Sequence, residues 1–528
     1  MVSDTSSPSQ ATPEDLTDIF GAEPTFKKPW RIAEIFLLLL ALGIGIGGFA
    51  MVGYVMNGEL PDTFWLESAS MVGIALFMHL VIRFVAPWAD QIILPAVVLV
   101  NALGIVMILR LDLAPAGAAG ANAIRQTQWA AVSVVVAAAV LIILREHRTL
   151  RRFTYTSGIV GLILLLSPMI PGLGMEINGA RIWIQIAGMS IQPGEFAKIF
   201  LAIFFAGYFF NNRDNLTLAG PKLGPIQFPR FRDLGPILIV WVAAIAVLVM
   251  QSDMGMSLML FGLFVAMLYL ATQRFSWVLI GFCLVGAGGY FAVQAFPHVS
   301  QRFDGWLHAM DPAVIDRAGG SFQLVSGLFG LANGGLLGTG LGHGHPYLVP
   351  LSFSDFIYSS LGEELGLTGL LAVLVVFFLI VERGLRTAID VRDGFGKVLA
   401  GGLAFLIAWQ LFIIVGGVTR LLPLTGLTVP FMAQGGTSLL SNWIVIAILI
   451  RISNEARRPS IDPGLGEVAP VNGDESQGYV VVGQSDTPAI VSGSPSNDAT
   501  EMMDALPREL PPDEDATEMI APVSGGTQ

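Results

Sequence analysis

Twelve apolar runs, each about as long as a bilayer is thick, limit this chain to few folds. A helix needs about 20 mainly apolar residues to cross the hydrocarbon core. Charged residues make up 13% of the chain, about half the fraction usual in soluble proteins. The sequence therefore predicts an all-α polytopic membrane protein with about 12 transmembrane helices. The predicted spans are residues 34–57, 66–86, 88–110, 127–144, 152–170, 192–211, 234–251, 254–272, 275–297, 365–383, 397–418 and 429–451.

Lysine and arginine residues are concentrated on one side of the predicted membrane. With twelve spans, Arg274 and the basic loops 145–152, 213–232, 383–397 and 451–458 share that side with both termini. Because cytoplasmic loops are enriched in Lys and Arg, we expect the cytoplasmic (inner) membrane, with N- and C-termini cytoplasmic. The other side receives the large extracellular loop 298–364, before the tenth span. This loop is too apolar for a flexible linker and too rich in glycine for one helix, which favours short helices and tight turns.

The acidity of the chain is confined to its C-terminal tail. Residues 459–528 contain thirteen Asp or Glu and one Arg, which accounts for the whole net charge of −12. Such a composition predicts a disordered cytoplasmic tail. The tail repeats DATEMM as DATEMI, either by chance or because Thr500 and Thr517 are phosphorylated and read by a cytoplasmic partner. No nucleic-acid partner is expected.

The sixth span begins with two charged residues, which are rare within membrane helices and tend to be functional there. Glu195 and Lys198 are three residues apart, so they lie on one helical face and can pair. One interpretation is a structural ion pair that carries both charges into the membrane. The other is that Lys198 holds a lipid phosphate while Glu195 orients it.

Three further residues on the outer side carry side chains suited to phosphate or to helix capping. Arg181 precedes the sixth span, and its guanidinium fits phosphate groups. Asp253 lies in the tight turn between the seventh and eighth spans, where it can cap the next helix. Arg302 follows the ninth span and is a weaker candidate for a diphosphate contact.

Three carboxylates lie within ten residues at the start of the tenth span. An unbroken helix would place Asp355 about 15 Å beyond Leu365, at the membrane surface, where it can meet a water-soluble sugar. Asp355 is then either a general base or an acid at a helix N-terminus. Glu363 and Glu364 lie deeper and resemble helix-start acids with a structural role.

Motifs for other catalytic chemistries are absent from the sequence. It contains no His–Glu metal spacing, no Walker-type phosphate loop and no Ser–His–Asp pattern. His343 and His345 flank a glycine, but two histidines in a loop rarely hold a metal. We therefore expect no resident cofactor or metal ligands, while a divalent cation (Mg or Mn) stays possible.

Six ordered motifs between about residues 95 and 455 resemble the SEDS family of bacterial wall synthases (shape, elongation, division and sporulation). They are NGARIWI, QPGEFAK, QSDMG, ANGGLLGTGLG, SDFIYSSLGEELG and LPLTGLTVPFMAQGGTSLLSNW. The resemblance looks closer to the elongation type, RodA, than to the division type, FtsW, and is actinobacterial in its two extra helices. Phe353-Ser354 replaces the usual His-Thr, Gly194 the usual Ser, and Gln434 the usual Tyr.

The resemblance implies a peptidoglycan glycosyltransferase that polymerises lipid II, with Asp355 as the catalytic residue that activates the 4-hydroxyl of the acceptor GlcNAc. The implied partners are lipid II, the undecaprenyl-diphosphate glycan, membrane lipids and a class B penicillin-binding protein transpeptidase. Gly435 and Gly436, with Asp253, Glu363 and Glu364, are implied structural residues. Those implied around the lipid diphosphate are Lys198, Glu195, Arg181, Arg302 and Gln192.

The resemblance also divides the chain. It implies a cytoplasmic N-terminal segment 1–33, two extra helices in 34–86, a ten-helix catalytic core in 87–455 and the tail 456–528. A lipid II flippase and a scaffold are the rival functions. A flippase needs a polar path across the membrane, and the sequence suggests little polarity inside the spans beyond Glu195 and Lys198.

Overall fold

The computed structural model describes residues 28–115, 122–177, 180–186, 188–213, 222–223, 226–227 and 231–459. For residues 177, 222–223, 226–227 and 231–238 it describes the backbone alone. Most of the predicted N-terminal segment and nearly all of the acidic tail, including Thr500 and Thr517, lie outside these residues.

Long helices dominate the described chain, because an apolar segment satisfies its own backbone hydrogen bonds only as a helix or a closed barrel. The long helices are α1 (Ile32–Asn57), α2 (Phe64–Val85), α3 (Ile93–Asp112), α4 (Asn122–Ile143), α5 (Thr154–Leu166), α6 (Pro193–Asn211), α7 (Phe231–Met250), α8 (Met254–Thr272), α9 (Ser276–Ala295), α13 (Ile357–Asp390), α14 (Gly394–Val418) and α15 (Gly436–Arg457). The 3-10 turns His147–Phe153 and Ser167–Met169 flank α5.

Within the described ranges, eleven helices are long and apolar enough to cross a membrane, counting α5 with its flanking turns. The twelfth long helix, α7, occupies the predicted seventh span, and its described side chains form an apolar stretch, Ile239–Met250. Each predicted span thus coincides with one long helix, and the predicted all-α polytopic membrane protein is confirmed.

The loop before α13 consists of short helices and turns, as the sequence predicts. Its helices are α10 (Pro297–Leu307), α11 (Pro312–Ile315) and α12 (Phe322–Gly334), followed by a 3-10 turn at Pro346–Leu348. A small antiparallel sheet, which the sequence analysis does not anticipate, precedes α6. Its strands are β1 (Gly174–Ile177), β2 (Ala180–Ile186) and β3 (Met189–Ile191), and a second pair is β4 (Lys222–Leu223) with β5 (Ile226–Gln227).

Two predicted helix starts are wrong. Helix α13 begins at Ile357, eight residues before the predicted start, and it is broken at Gly366. Helix α15 begins at Gly436, seven residues after the predicted start. The apolar residues 419–435 that precede it form no regular helix or strand, although most of them are buried. Apolar composition predicts burial here, but it does not distinguish a helix from a buried irregular segment.

Gly366 divides α13 at a position where only glycine fits. Its φ of 68° and ψ of −174° belong to a region that other residues avoid. A Cβ at this position would lie 2.2 Å from the backbone nitrogen of Gly338, which belongs to the glycine-rich stretch after α12. The break therefore lets the chain of that stretch pass directly against α13.

The substitution Gly366→Ala is expected to destabilise the protein by about 3 kcal/mol or more, because strain and a backbone clash combine. Thermal unfolding of the detergent-solubilised protein measures the effect. Gly288→Ala is the matched control, since nothing lies within 4 Å of a Cβ in that helical position. Equal melting temperatures for the two variants would contradict this account of the break.

Candidate active site

Asp355 lies half-buried in the turn that leads into α13. Its only described hydrogen bond comes from the neighbouring Ser354 hydroxyl, which donates to Oδ1 at 3.1 Å. A Cβ at Gly426 would lie 3.8 Å from Oδ2, so that glycine faces the other oxygen. Gly426 is exposed and has φ of 77°. The carboxylate is therefore half-buried between its own turn and the residue 419–435 segment.

Arg302, on α10, donates hydrogen bonds to the residue 419–435 segment. Its Nη1 donates to the carbonyl oxygens of Leu424 at 3.2 Å and Thr425 at 3.1 Å. Gly255, at the start of α8, lets the segment approach closely, because a Cβ there would be 2.9 Å from the Thr425 oxygen. The chain on either side of Gly426 is thus held by α8 and α10 together.

The charge of Arg302 acts on two carboxylates. Burial raises the pKa of Asp355 to about 6, although the Ser354 hydrogen bond and the Arg302 charge both lower it. Burial also raises the pKa of Asp253 to about 6, opposed by a hydrogen bond from Met256 and by Arg302. With a pKa of about 6, both acids are mainly ionised at pH 7, and both take up protons as the pH falls towards 6.

Asp253 caps the N-terminus of α8, as its position in the turn predicts. Its Oδ1 accepts a hydrogen bond from the Met256 backbone nitrogen at 2.9 Å, at the first turn of α8. The preceding Ser252 has φ of 60°, which accompanies the tight turn from α7.

Glu195 and Lys198 form the ion pair that their spacing predicts. Lys198 Nζ lies 2.6 Å from Glu195 Oε2, and both side chains are buried. Lys198 also approaches Gln410 Oε1 at 3.2 Å and Asn442 Oδ1 at 3.3 Å, while the Ser441 hydroxyl donates to Glu195 at 2.8 Å. Three acceptors thus surround the three donors of the ammonium, which favours the structural interpretation over a direct phosphate contact.

This ion pair connects to the residue 419–435 segment through Gln410. The Gln410 Oε1 faces Lys198, and its Nε2 donates to the carbonyl oxygen of Thr428 at 2.9 Å. The Thr428 hydroxyl in turn bonds to Ser438 at 3.0 Å. One amide therefore links the buried charges of α6 to the segment that faces Asp355.

Two more amides support the same segment from other helices, and the sequence analysis missed all three. Asn101 on α3 donates to the Phe431 oxygen at 2.8 Å, and Gln126 on α4 donates to the Ala433 oxygen at 3.0 Å. Each of the three lies within or just before a predicted apolar span. Polar side chains inside membrane spans usually pair with backbone or with one another, so their presence was a usable signal.

The predicted substrate-binding residues separate into two groups. Arg302 lies near Asp355, whereas Lys198 and Glu195 lie inside the helix bundle. Arg181 is exposed on β2, and its described contact is a backbone hydrogen bond to the Gln251 oxygen at 3.4 Å. Gln192 precedes α6, and its backbone nitrogen donates to the Thr437 hydroxyl at 3.4 Å.

Gly435 and Gly436 join the residue 419–435 segment to α15. A Cβ at Gly436 would lie 2.2 Å from the Trp129 ring, so α4 packs directly on this glycine. The backbone nitrogen of Gly435 donates to Gln126 Oε1 at 3.4 Å. Close packing with α4 therefore accounts for small residues at this junction.

Glu363 and Glu364 are not helix-start acids, because α13 begins six residues earlier. Both are buried just before the break at Gly366. Glu364 pairs with Arg110 at 2.6 Å, and Glu363 accepts hydrogen bonds from Asn333 at 3.0 Å and the His345 backbone at 2.8 Å. Their contacts hold the glycine-rich stretch rather than stabilise a helix dipole.

The expectation of little polarity inside the spans is therefore wrong. Besides the amides and the Glu195–Lys198 pair, Arg110 pairs with Glu364, and Arg31 pairs with Glu34, which also bonds His79 at 2.6 Å. These groups are paired with one another and do not line an open path. Among the described residues, no three His, Cys, Asp or Glu side chains converge as a metal site.

Comparison with known proteins identifies the family. The model of the FtsW, RodA and SpoVE cell cycle proteins matches residues 90–458. The chain belongs to this family. The peptidoglycan glycosyltransferase RodA of Mycobacterium tuberculosis is 47% identical over 436 residues, 81% of this chain and 92% of that protein. The RodA of Mycobacterium leprae is 46% identical over 434 residues, 81% of this chain and 91% of its own length.

A solved structure shows the same fold. In a peptidoglycan synthase complex described as coordinating polymerization and crosslinking, one chain covers 70% of this chain and 99% of its own length. The TM-score is 0.57 at 20% identity. The resemblance to SEDS proteins of the RodA type, based on six motifs, is confirmed by the family match and by the mycobacterial relatives.

The substitution Lys198→Ala is expected to destabilise the protein by about 3–5 kcal/mol, because Glu195 would remain buried without its partner. The double variant Glu195→Gln/Lys198→Met is expected to recover part of this loss, since it removes both charges. Thermal unfolding in detergent measures both. Lys397→Ala, which removes an exposed lysine, is the control and should change stability by less than about 0.5 kcal/mol.

Proposed function

We propose that this RodA-type peptidoglycan glycosyltransferase polymerises lipid II into glycan strands at the outer face of the cytoplasmic membrane during cell elongation. Its family and the identity to two mycobacterial RodA proteins carry the activity. The environment of Asp355 is the observation that supports the outer-face site. A half-buried carboxylate with a raised pKa suits a base that meets a sugar at a membrane surface.

The proposed chemistry is an inverting transfer. Asp355 accepts the proton of the acceptor 4-hydroxyl as that oxygen attacks the anomeric carbon of the growing strand. The bond to the undecaprenyl diphosphate breaks on the opposite face, and the diphosphate leaves with its negative charge. Arg302 supplies positive charge next to this reaction, since its charge already reaches Asp355. The step as written needs no metal ligand from the described residues.

In this proposal, the residues that contact the substrate are the ones whose side chains are at least partly exposed. Arg181 is exposed at the sheet before α6, and Arg302 is partly buried beside the 419–435 segment. Both guanidinium groups suit a diphosphate, which they bind as planar forks. Lys198 and Glu195 then act indirectly by keeping the segment in position, through Gln410 and Thr428.

A class B penicillin-binding protein is the proposed partner. Support comes from the solved neighbour, whose description couples polymerization to crosslinking in one complex. The proposed orientation, with both termini in the cytoplasm, rests on the distribution of Lys and Arg in the loops. It puts Asp355 on the outer side, where lipid II carries its sugar when it is polymerised.

Two other functions differ from this proposal in what they require. A flippase requires a polar path, and the buried polar groups described above are paired instead. A division-type polymerase would have the same chemistry, but the 46–47% identity to RodA proteins favours the elongation role.

The substitution Asp355→Asn is expected to lower polymerisation by roughly 100- to 10,000-fold, the usual contribution of a general base. The assay follows polymer formed from lipid II by the purified full chain with its partner transpeptidase. Asp316→Asn changes an exposed acid of the same loop and should keep full activity. Equal polymer from wild type and Asp355→Asn would rule out Asp355 as the base, and lipid II translocation without polymer would favour the flippase.

Polymerisation is expected to depend on pH through Asp355. A base works only when ionised, so the rate should fall as the pH drops below the Asp355 pKa of about 6 and level off above about pH 7. Initial rates between pH 5 and 8 measure this profile. Asp253 has a similar pKa, so Asp253→Asn is the control. If the fall in rate at acidic pH disappears in that variant, the titrating group is Asp253 and not Asp355.

A further inference from the structure

A cavity of about 660 Å³ opens at the end of the bundle remote from Asp355. It lies beside the end of α6, the beginning of α14 and the 3-10 turn before α5. Asp355 precedes α13 in the chain, whereas α14 follows α13, so the two sites lie at opposite ends of α13. The continuous part of α13 after Gly366, residues 367–390, spans about 36 Å. The cavity therefore does not belong to the candidate active site.

Three of the six polar residues that line the cavity are arginines. Arg148, Arg151 and Arg152 face the cavity, together with Thr149 and Phe210. All three arginines are exposed, although they adjoin a membrane helix. Three guanidinium groups within five residues provide many donors and no acceptor, which is the chemistry of a phosphate site.

Arg151 is held in place by contacts that leave much of its guanidinium unused. Its Nε donates to Asn211 Oδ1 at 3.0 Å, and its guanidinium carbon lies 4.4 Å from the centre of the Phe210 ring. These contacts use one N–H and one face of the group. The remaining fork of N–H donors is the part that binds phosphate oxygens in pairs.

Two carboxylates also line the cavity and offset part of the charge of the three arginines. Glu146 is exposed. Asp393 has partners within the protein, because His147 Nε2 lies 2.5 Å from Oδ2 and the Gly396 nitrogen donates to Oδ1 at 2.7 Å. Arg148 Nε lies 3.7 Å from the same carboxylate and forms an ion pair with it, whereas the described ion pairs give neither Arg151 nor Arg152 a carboxylate partner.

We propose that this cavity binds the phosphate headgroup of an anionic phospholipid from the leaflet at this end of the bundle. Exposed apolar side chains adjoin the arginines in the chain, with Ile143 80% exposed before them and Phe153 54% exposed after them. They provide a surface for acyl chains directly beside the charged group. A free phosphate would use the arginines but not this apolar surface. Basic pockets between helices bind such headgroups in other membrane proteins.

Native mass spectrometry of the full-length protein tests the proposal with phosphatidylglycerol and phosphatidylcholine as probes. Wild type should retain phosphatidylglycerol in preference to phosphatidylcholine. Arg151→Lys keeps the charge but removes the fork, so it should reduce retention several-fold. Arg213→Lys, an exposed arginine outside the cavity, should not. Equal retention by these two variants would mean that only surface charge attracts the lipid and would overturn the site.

A second pair of variants removes charge and keeps the comparison independent of Arg151. Arg148→Gln/Arg152→Gln should lower retention roughly tenfold or more, whereas Arg213→Gln/Arg392→Gln loses the same charge outside the cavity and should retain the lipid. Unchanged thermal unfolding shows that the variants are folded. Displacement of bound phosphatidylglycerol by millimolar inorganic phosphate would overturn a lipid ligand in favour of free phosphate, and no lipid preference in wild type would overturn both.

Discussion

Hydrogen bonds from side chains to the backbone of residues 419–435 determine the geometry of the candidate active site. This segment is largely buried but has no helix or strand to satisfy its carbonyl groups, and an unpaired carbonyl in such surroundings costs several kcal/mol. Gln410, Asn101, Gln126 and Arg302 supply donors from four different helices. Because each donor belongs to a different helix, four helices together hold the segment beside Asp355.

The buried Glu195–Lys198 ion pair is connected to this segment through Gln410. Two charges alone would be costly inside the bundle, since their attraction offsets desolvation only when further hydrogen bonds complete the site. Ser441, Asn442 and Gln410 complete it. Gln410 then has its oxygen directed to Lys198 and its amide nitrogen to the Thr428 carbonyl, so the charge of Lys198 fixes which way the amide points.

Features that depend on local spacing could be predicted, and features that depend on distant partners could not. The length of each apolar run gave twelve helices, and the three-residue spacing gave the Glu195–Lys198 pair. The break at Gly366 depends instead on the approach of Gly338, and the Glu364 contact on Arg110, which is 254 residues away in sequence. Apolar periodicity contains no information about such partners, so the start of α13 and the reason for Glu363 and Glu364 were both misjudged.

Two carboxylates with a similar pKa lie in the field of Arg302, so the titration does not choose between them. Their hydrogen bonds differ in kind instead. Asp253 receives a backbone N–H that begins α8, and a backbone donor cannot turn away without unwinding the helix. Asp355 receives one hydroxyl, from Ser354, which can rotate and release the oxygen. Each carboxylate keeps further lone pairs for an incoming proton, so the two acids differ in local structure: the Met256 N–H ties Asp253 to the start of α8, whereas Asp355 caps no helix among its described contacts.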